Sequence, residues 1–307
     1  MTRRVKTILC TLTAAITLLT ATAVHASAAS TEEPAQANTI EVFGMEVDPE
    51  TEFLDLSGIK MESTAQVEEI LPLFSNLKQV DMVNCGISDE DMDALRQKHP
   101  DIKIVWEVVV CTYHKIRTDI TYFMPNQLGI GQGPGLDFSN LKYCNEITLI
   151  DFGHYPVADM SFLYYMPNLE YLIVADSTVE DLSVIADCTS LRFLELFLNP
   201  ITDFSPLLNL TNLEDLNISY TPFGKRNGNY VITGDFANTT PLYQMTWLNR
   251  LWMCYNRLDQ SEWTALQEAL PNTTLMFKSD SSTDRGWRHS PNYFAGRDIV
   301  GGRYMTS

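Results

Sequence analysis

The chain has 307 residues, 45% hydrophobic and 20% charged, with 39 acidic against 21 basic side chains and a formal charge of −18. So large an acid excess repels nucleic acid and anionic lipid and excludes them as partners, while the apolar share is that of a folded chain, not a disordered one. Of the six cysteines, Cys10 falls in the N-terminal leader; the remainder is odd, so a complete disulfide framework is not expected within a monomer.

The N-terminus reads as an address. Arg3, Arg4 and Lys6 precede an apolar stretch from Ile8 to Val24, and Ala26-Ser27-Ala28 has the small-residue form of a signal peptidase site. Residues 1–28 are therefore expected to be a Sec-type signal peptide and 29–50 a polar leader with an N-terminal cap. No later run approaches 18 apolar residues, so stable membrane insertion after processing is not expected. The predicted location is secreted, or loosely held at a bacterial cell surface.

From Phe53-Leu54-Asp55-Leu56 onward the chain is periodic. The stretch Met82 to Trp106 aligns without gaps on Met253 to Phe277: Ile87 meets Leu258, Met92 meets Trp263, Ala94-Leu95 meets Ala265-Leu266 and Pro100 meets Pro271. In both, apolar residues at helical spacing run between a turn and a Pro-containing stop, which predicts a true α-helix in each. Between them, Glu107 to Met124 is rich in β-branched and aromatic residues and is expected to form an inserted hairpin. A degenerate coil follows around Leu128, Ile130, Phe138, Leu141 and Cys144.

The central segment is the most regular. Asp137-Phe138-Ser139, Asp159-Met160-Ser161, Asp181-Leu182-Ser183 and Asp203-Phe204-Ser205 recur at one spacing. With Ile147, Leu169, Leu191 and Leu213 as position 1, position 4 holds Ile150, Leu172, Leu194 and Leu216, and position 6 holds Phe152, Val174, Leu196 and Ile218. This is the strand pattern of a leucine-rich repeat, and such a period signals a solenoid. Position 20 holds Met166, Cys188 and Leu210, with Cys144 in the same column, so these thiols are read as small buried hydrophobes. The Asp-apolar-Ser triplets fall at the turn after each strand, where Asp and Ser oxygens can accept free backbone N–H groups and the apolar residue points inward. These coils are too short for an α-helical return and predict a 3₁₀ or extended one. A second insert lies near 224–237, and after the last strand residues 278–307 offer Trp287, Tyr293, Phe294, Ile299 and Val300 as a C-terminal cap. The predicted fold is α/β, a right-handed horseshoe of roughly nine coils over residues 51–277, with a parallel β-sheet on its concave face.

On that face positions 3, 5, 7 and 8 project outward. Strands lie about 4.8 Å apart, so Tyr171, Phe193, Phe197, Tyr220, Trp252 and Tyr255 are expected to form a continuous aromatic field. With Glu195, Asp215 and Arg250 they are the predicted partner-binding residues; the opposing expectation is that a hairpin, loop or tail covers the face. His154 and Asp176 share a column and can hydrogen-bond, but base and orienter without a nucleophile make no triad, and the nearest candidates, Ser219 and Cys254, stand in another column. No phosphate loop or metal-ligand cluster is present in the sequence, and the Asp column is accounted for by turns. No enzyme, cofactor or metal is expected.

The unit Leu191 to Asn212, LRFLELFLNPITDFSPLLNLTN, resembles the repeat of bacterial internalin-like proteins, including Asn199 at position 9 and Pro206 after the Ser. The resemblance implies a buried hydrogen-bond ladder through Asn199 and Asn256, interrupted by Tyr155, Ser177 and Thr221. The whole mature chain, including the stretch IRTDITYFMP and the tail, is similar to secreted leucine-rich repeat proteins of gut Firmicutes. This resemblance implies location and fold; the aromatic columns point to a protein- or peptide-binding interaction module, with a glycan-binding or glycan-cleaving factor using the same aromatics with Glu195 and Asp215, or a structural part of an envelope assembly, as the alternatives.

Overall fold

A computed structural model describes residues 38–157, 159–221, 223–226, 229–232, 239–256, 258–278, 285–303 and 305. The segment read as a signal peptide lies outside these residues, as does part of the second insert.

A short antiparallel hairpin of β1 (Ile40–Val42) and β2 (Met45–Val47) opens the described chain and sends Val42 into the core. Next, β3 (Phe53–Asp55), β4 (Gln79–Asp81) and β5 (Lys103–Val105) pair in parallel. The predicted hairpin follows as β6 (Glu107–Val110) and β7 (His114–Arg117), antiparallel, with Cys111 and Thr112 in left-handed backbone at its tip. Val108, Val110 and Ile116 face inward from it, whereas Val109 is exposed, the period-two alternation of a half-buried strand. Arg117 ties the hairpin to the first sheet through Asp81 at 2.7 Å and to Asp119 at 2.8 Å.

The main sheet then resumes with β8 (Tyr122–Phe123), β9 (Leu149–Asp151), β10 (Tyr171–Ile173), β11 (Phe193–Glu195) and β12 (Asp215–Asn217). A hairpin of β13 (Phe223–Arg226) and β14 (Asn229–Ile232) intervenes, and β15 (Arg250–Trp252) and β16 (Thr274–Met276) complete the sheet. All seven strands of this sheet are parallel neighbours in chain order. The register is the predicted one, with Ile150, Leu172, Leu194 and Leu216 side by side, and the structure extends the column through Leu251 and Leu275. One hydrophobic core runs from Val42 to Leu270 through both sheets, so the inserted hairpin interrupts the hydrogen-bond ladder but not the core.

The regular coils of the central segment close with 3₁₀ turns at Ser161–Tyr165, Ile185–Asp187 and Ser205–Asn209, as predicted, and the longer coils before β9 and β15 do so too, at Ser139–Tyr143 and Thr240–Gln244. The helix α1 (Ala65–Glu68) is a single turn. The two aligned stretches carry full helices: α2 (Asp89–Lys98), N-capped by Ser88, and α3 (Gln260–Ala269), where Asp259 and Glu262 form a reciprocal capping box.

At each triplet the Asp carboxylate accepts the Ser backbone N–H two residues on, at 2.8 to 2.9 Å, in Asp137, Asp159, Asp181 and Asp203. The Ser hydroxyl donates back to the carboxylate in the Asp181 and Asp203 turns, so Ser serves the Asp and not the helix N-terminus as expected. Phe138, Met160, Leu182 and Phe204 are buried, as predicted. The Ser139 N–H holds the Asp137 carboxyl below its ordinary range. A depressed carboxyl stabilises the fold above its unfolded pKa and loses that contribution as pH falls through the folded value. Asp137→Ala should therefore lower stability by about 1 kcal/mol at neutral pH, with Asp137→Asn closer to wild type. Thermal unfolding at pH 7 and pH 3 checks this, because the Ala deficit should shrink at the lower pH.

At position 9, Asn199 Oδ1 accepts the N–H groups of Ser177 and Val179, and its amide donates to the carbonyls of Val174 and Leu196. Asn256 repeats the arrangement with Thr221 N–H and the Ile218 carbonyl. Where Asn is missing, Ser177 and Thr221 hydroxyls donate to the carbonyls of Phe152 and Ile218. The ladder is thus shared between amide and hydroxyl side chains. Burial pushes the thiols of Cys144 and Cys188 up to about 12, and both are free, small core residues.

Candidate functional site

The main sheet aligns the predicted columns on one of its faces. Leu149, Tyr171, Phe193, Asp215 and Arg250 are successive partners at position 3, and Asp151, Ile173, Glu195, Asn217 and Trp252 at position 5. In an open horseshoe such side chains would meet water, but here Phe193, Glu195 and Asp215 are 0% exposed.

The C-terminal segment covers them. Gly286 leads into a 3₁₀ turn, Trp287–His289, and then α4 (Pro291–Ile299) begins on a Ser290 cap whose hydroxyl accepts the Tyr293 N–H at 3.2 Å. Pro291 stands in the first turn, where its missing N–H is not needed. Tyr293, Val300 and Met305 pack with Met124, Leu149, Tyr171, Ile173, Ala175 and Phe193 into one apolar cluster. Trp287 joins Trp252, Cys254 and Met276 in a second, and Phe197 touches both. A Cβ on Gly296 would lie 3.1 Å from the Met305 Cε, 3.2 Å from Tyr171 Cδ1 and 3.3 Å from Leu149 Cδ1, so the helix sits against the sheet at a distance that glycine permits. Polar contacts fix the two ends: Trp252 Nε1 donates to the Arg285 carbonyl at 2.9 Å, and Arg303 bonds Gln127. Between them Asn292 donates to Glu214 at 3.2 Å.

Charge is handled within this layer. Asp215 pairs with Arg250 at 2.6 Å. Burial pushes the Asp215 carboxyl up, while Arg250, Ser290 and Asn292 pull it down. Neighbouring Glu214 is also drawn upward by burial, but hydrogen bonds from Asn292 and Arg192 hold it below its ordinary value.

Of the predicted partner-binding residues, then, Tyr171, Phe193, Glu195, Asp215 and Trp252 are buried beneath the tail, Phe197, Tyr220 and Arg250 are half-buried, and Tyr255 is 54% exposed. The expectation of a continuous open aromatic field is corrected: the sheet column is roofed, because a helix with matching apolar spacing follows the last coil. What stays accessible is a row along the rim. Phe197 lies 5.4 Å from Trp287 and 5.2 Å from Tyr220, and Tyr220 stacks on Tyr255 at 4.4 Å. The rim is set by the backbone: His154, Asp176, Leu198, Tyr220 and Tyr255, all at position 8, have φ between 52° and 66°, a left-handed conformation that non-glycine residues adopt sparingly. His154 and Asp176 meet at 3.1 Å, as predicted. Ser219 and Cys254 are buried, with the Ser219 hydroxyl accepting the Cys254 N–H.

Trp287 and Tyr293 were expected to cap the last coil and instead pack on this face, while Asn292 and Gly296 were not singled out from the sequence. The available signal was the spacing of Tyr293, Gly296 and Val300 on one helical face, in a segment with four arginines, Arg285, Arg288, Arg297 and Arg303, against one acid, Asp298. No group of three or more metal-ligating side chains occurs among the described residues, and none of their helices is long and apolar enough to cross a membrane.

The repeat register, the parallel sheet and the 3₁₀ returns define an α/β leucine-rich repeat solenoid. A family model described as Leucine Rich repeat matches residues 75–95 and 187–203. Among solved structures the chain is similar to internalin C2 of Listeria monocytogenes, at 19% identity and a TM-score of 0.37, covering 78% of this chain and 77% of that one. It is similar also to the internalin inlF of the same organism, at 21% identity and a TM-score of 0.38, covering 76% of this chain and 63% of that one. A leucine-rich repeat protein of Leptospira interrogans matches at 14% identity and a TM-score of 0.36, over 74% of this chain and 54% of that one. No curated protein matches the chain.

Proposed function

We propose that this chain is a secreted leucine-rich repeat interaction module that binds a protein or peptide partner, with the aromatic rim at Tyr220 and Tyr255 as the part of the concave side that a partner meets first. The observation that carries this reading is the Tyr220–Tyr255 stack, in which Tyr255 is 54% exposed while Tyr171, Phe193 and Trp252 of the same face are buried. Large rigid rings of this kind are the usual anchors of protein interfaces. The N-terminal leader supports export. A protein partner is favoured over a glycan-cleaving role because both Glu195 and Asp215 lie under the tail, where a sugar cannot reach them.

Tyr220→Ser with Tyr255→Ser should leave the fold intact and remove at least about 2 kcal/mol of partner affinity, some thirtyfold. Chemical cross-linking to bacterial and host surface proteins, with partners identified and their affinities measured for both forms, checks it. An unchanged partner set and unchanged affinity would refute the rim as the contact.

A further inference from the structure

We propose that the concave face is a receptor for a basic, aromatic amphipathic helix, and that residues 285–303 are its resident occupant. This rests on the interaction-module reading and names the chemistry of the partner.

The tail makes the contacts of a ligand. It leaves the last strand and returns across the sheet, from Trp252 on β15 at its start to Gln127, just beyond β8, at its end. Along the way it contributes one aromatic anchor to each apolar cluster, Trp287 and Tyr293, and presents Gly296 where a larger residue would strike Tyr171 and Leu149. Charge is complementary. Residues 285–303 hold four arginines and a single acid in a chain with 39 acids and 21 bases, and the covered floor holds Asp151 and Glu195 together with Asp215, which Arg250 of the same sheet pairs. Burial raises the Tyr293 phenol, and Glu195 and Asp151 of the floor add to that rise while Arg288 and Arg297 of the tail oppose it.

The helix itself does not account for its own stability. Nine residues, Pro291–Ile299, are too few to stay helical in water, so α4 forms because the groove orders it. A segment that is helical only when docked, on a face that otherwise lies open in this fold, can be replaced by another helix presenting the same groups. Tethering gives the resident tail an effective concentration in the millimolar range, which keeps weaker helices out and leaves the rim as the first point of contact.

The test uses the full chain carrying Gly296→Leu and, as probe, a fluorescent peptide of residues 285–307. Hydrogen exchange should show protected 293–299 amides in wild type and fast exchange in the variant. The peptide should bind the variant at least about tenfold more tightly than wild type, more weakly as salt rises, and a peptide that itself carries Gly296→Leu should not bind. Because the variant's own tail bears the same substitution, exchange of tails between copies cannot produce the signal. The full-length double variant Trp287→Ala, Tyr293→Ala undocks the tail without adding bulk and should give the same result if Gly296→Leu disturbs folding. An undocked tail with no saturable peptide binding overturns the proposal, as does a Gly296→Leu tail protected as in wild type. Either outcome with rim-dependent capture intact would remove this inference alone.

Discussion

Asn199→Ala should lower the stability of the solenoid by about 3–5 kcal/mol. The side chain is fully buried and serves two adjacent coils: it accepts the Ser177 and Val179 N–H groups at 3.1 and 3.0 Å and donates to the Val174 and Leu196 carbonyls at 2.7 and 3.0 Å. Alanine leaves those backbone groups in a dry interior, and each unsatisfied group costs about 1–3 kcal/mol. Ser177→Ala makes the comparison. It removes one hydroxyl, which bonds the Phe152 and Ala175 carbonyls, and should cost about 1 kcal/mol. Urea unfolding followed by far-ultraviolet dichroism measures both. Equal midpoints for the two variants would show that the Asn199 contacts do not staple neighbouring coils.

Arg250→Met should cost about 3 kcal/mol at pH 7.5 and less at pH 5. Asp215 is fully buried with Arg250 at 2.6 Å, and methionine keeps the apolar stem while removing the cation. Burial raises the Asp215 carboxyl and Arg250 opposes that rise, so the variant leaves the carboxyl higher still. A carboxyl whose folded pKa is raised binds its proton more tightly in the folded state. Its stabilising effect is complete at low pH and is lost as pH rises through the folded value, so the Arg250→Met deficit must grow with pH. Adding Asp215→Asn should recover most of the loss. A deficit independent of pH would mean that packing of the Arg250 stem, and not its charge, is what matters.

Both effects belong to different reaches of the chain. Asn199 was legible in the sequence because it sits in a column, and columns encode contacts between one coil and the next. The same local logic predicted the register of Ile150, Leu172, Leu194 and Leu216, the inward Phe138 and Phe204, and a helix within each of the stretches Met82–Trp106 and Met253–Phe277, while composition predicted a hairpin within Glu107–Met124, which the structure confines to Glu107–Arg117. The environment of Asp215 was not legible. Its column was predicted correctly, yet whether that column faces water depends on Ser290 and Asn292, which no repeat period connects to it.

Periodicity by itself determined the solenoid: apolar residues that recur with the coil must stack on their neighbours, and Asp-apolar-Ser turns and Asn, Ser or Thr side chains must satisfy the backbone between them. Only the tertiary structure decided that the concave aromatic columns are closed, that Gly296 is the point of closest approach, and that Tyr220 and Tyr255 remain on the rim. The physical reason is distance along the chain. Asn292 meets Glu214 across 78 residues and Arg303 meets Gln127 across 176, and such contacts arise from complementary shape and charge between a helix and a sheet, which leave no repeat in the sequence.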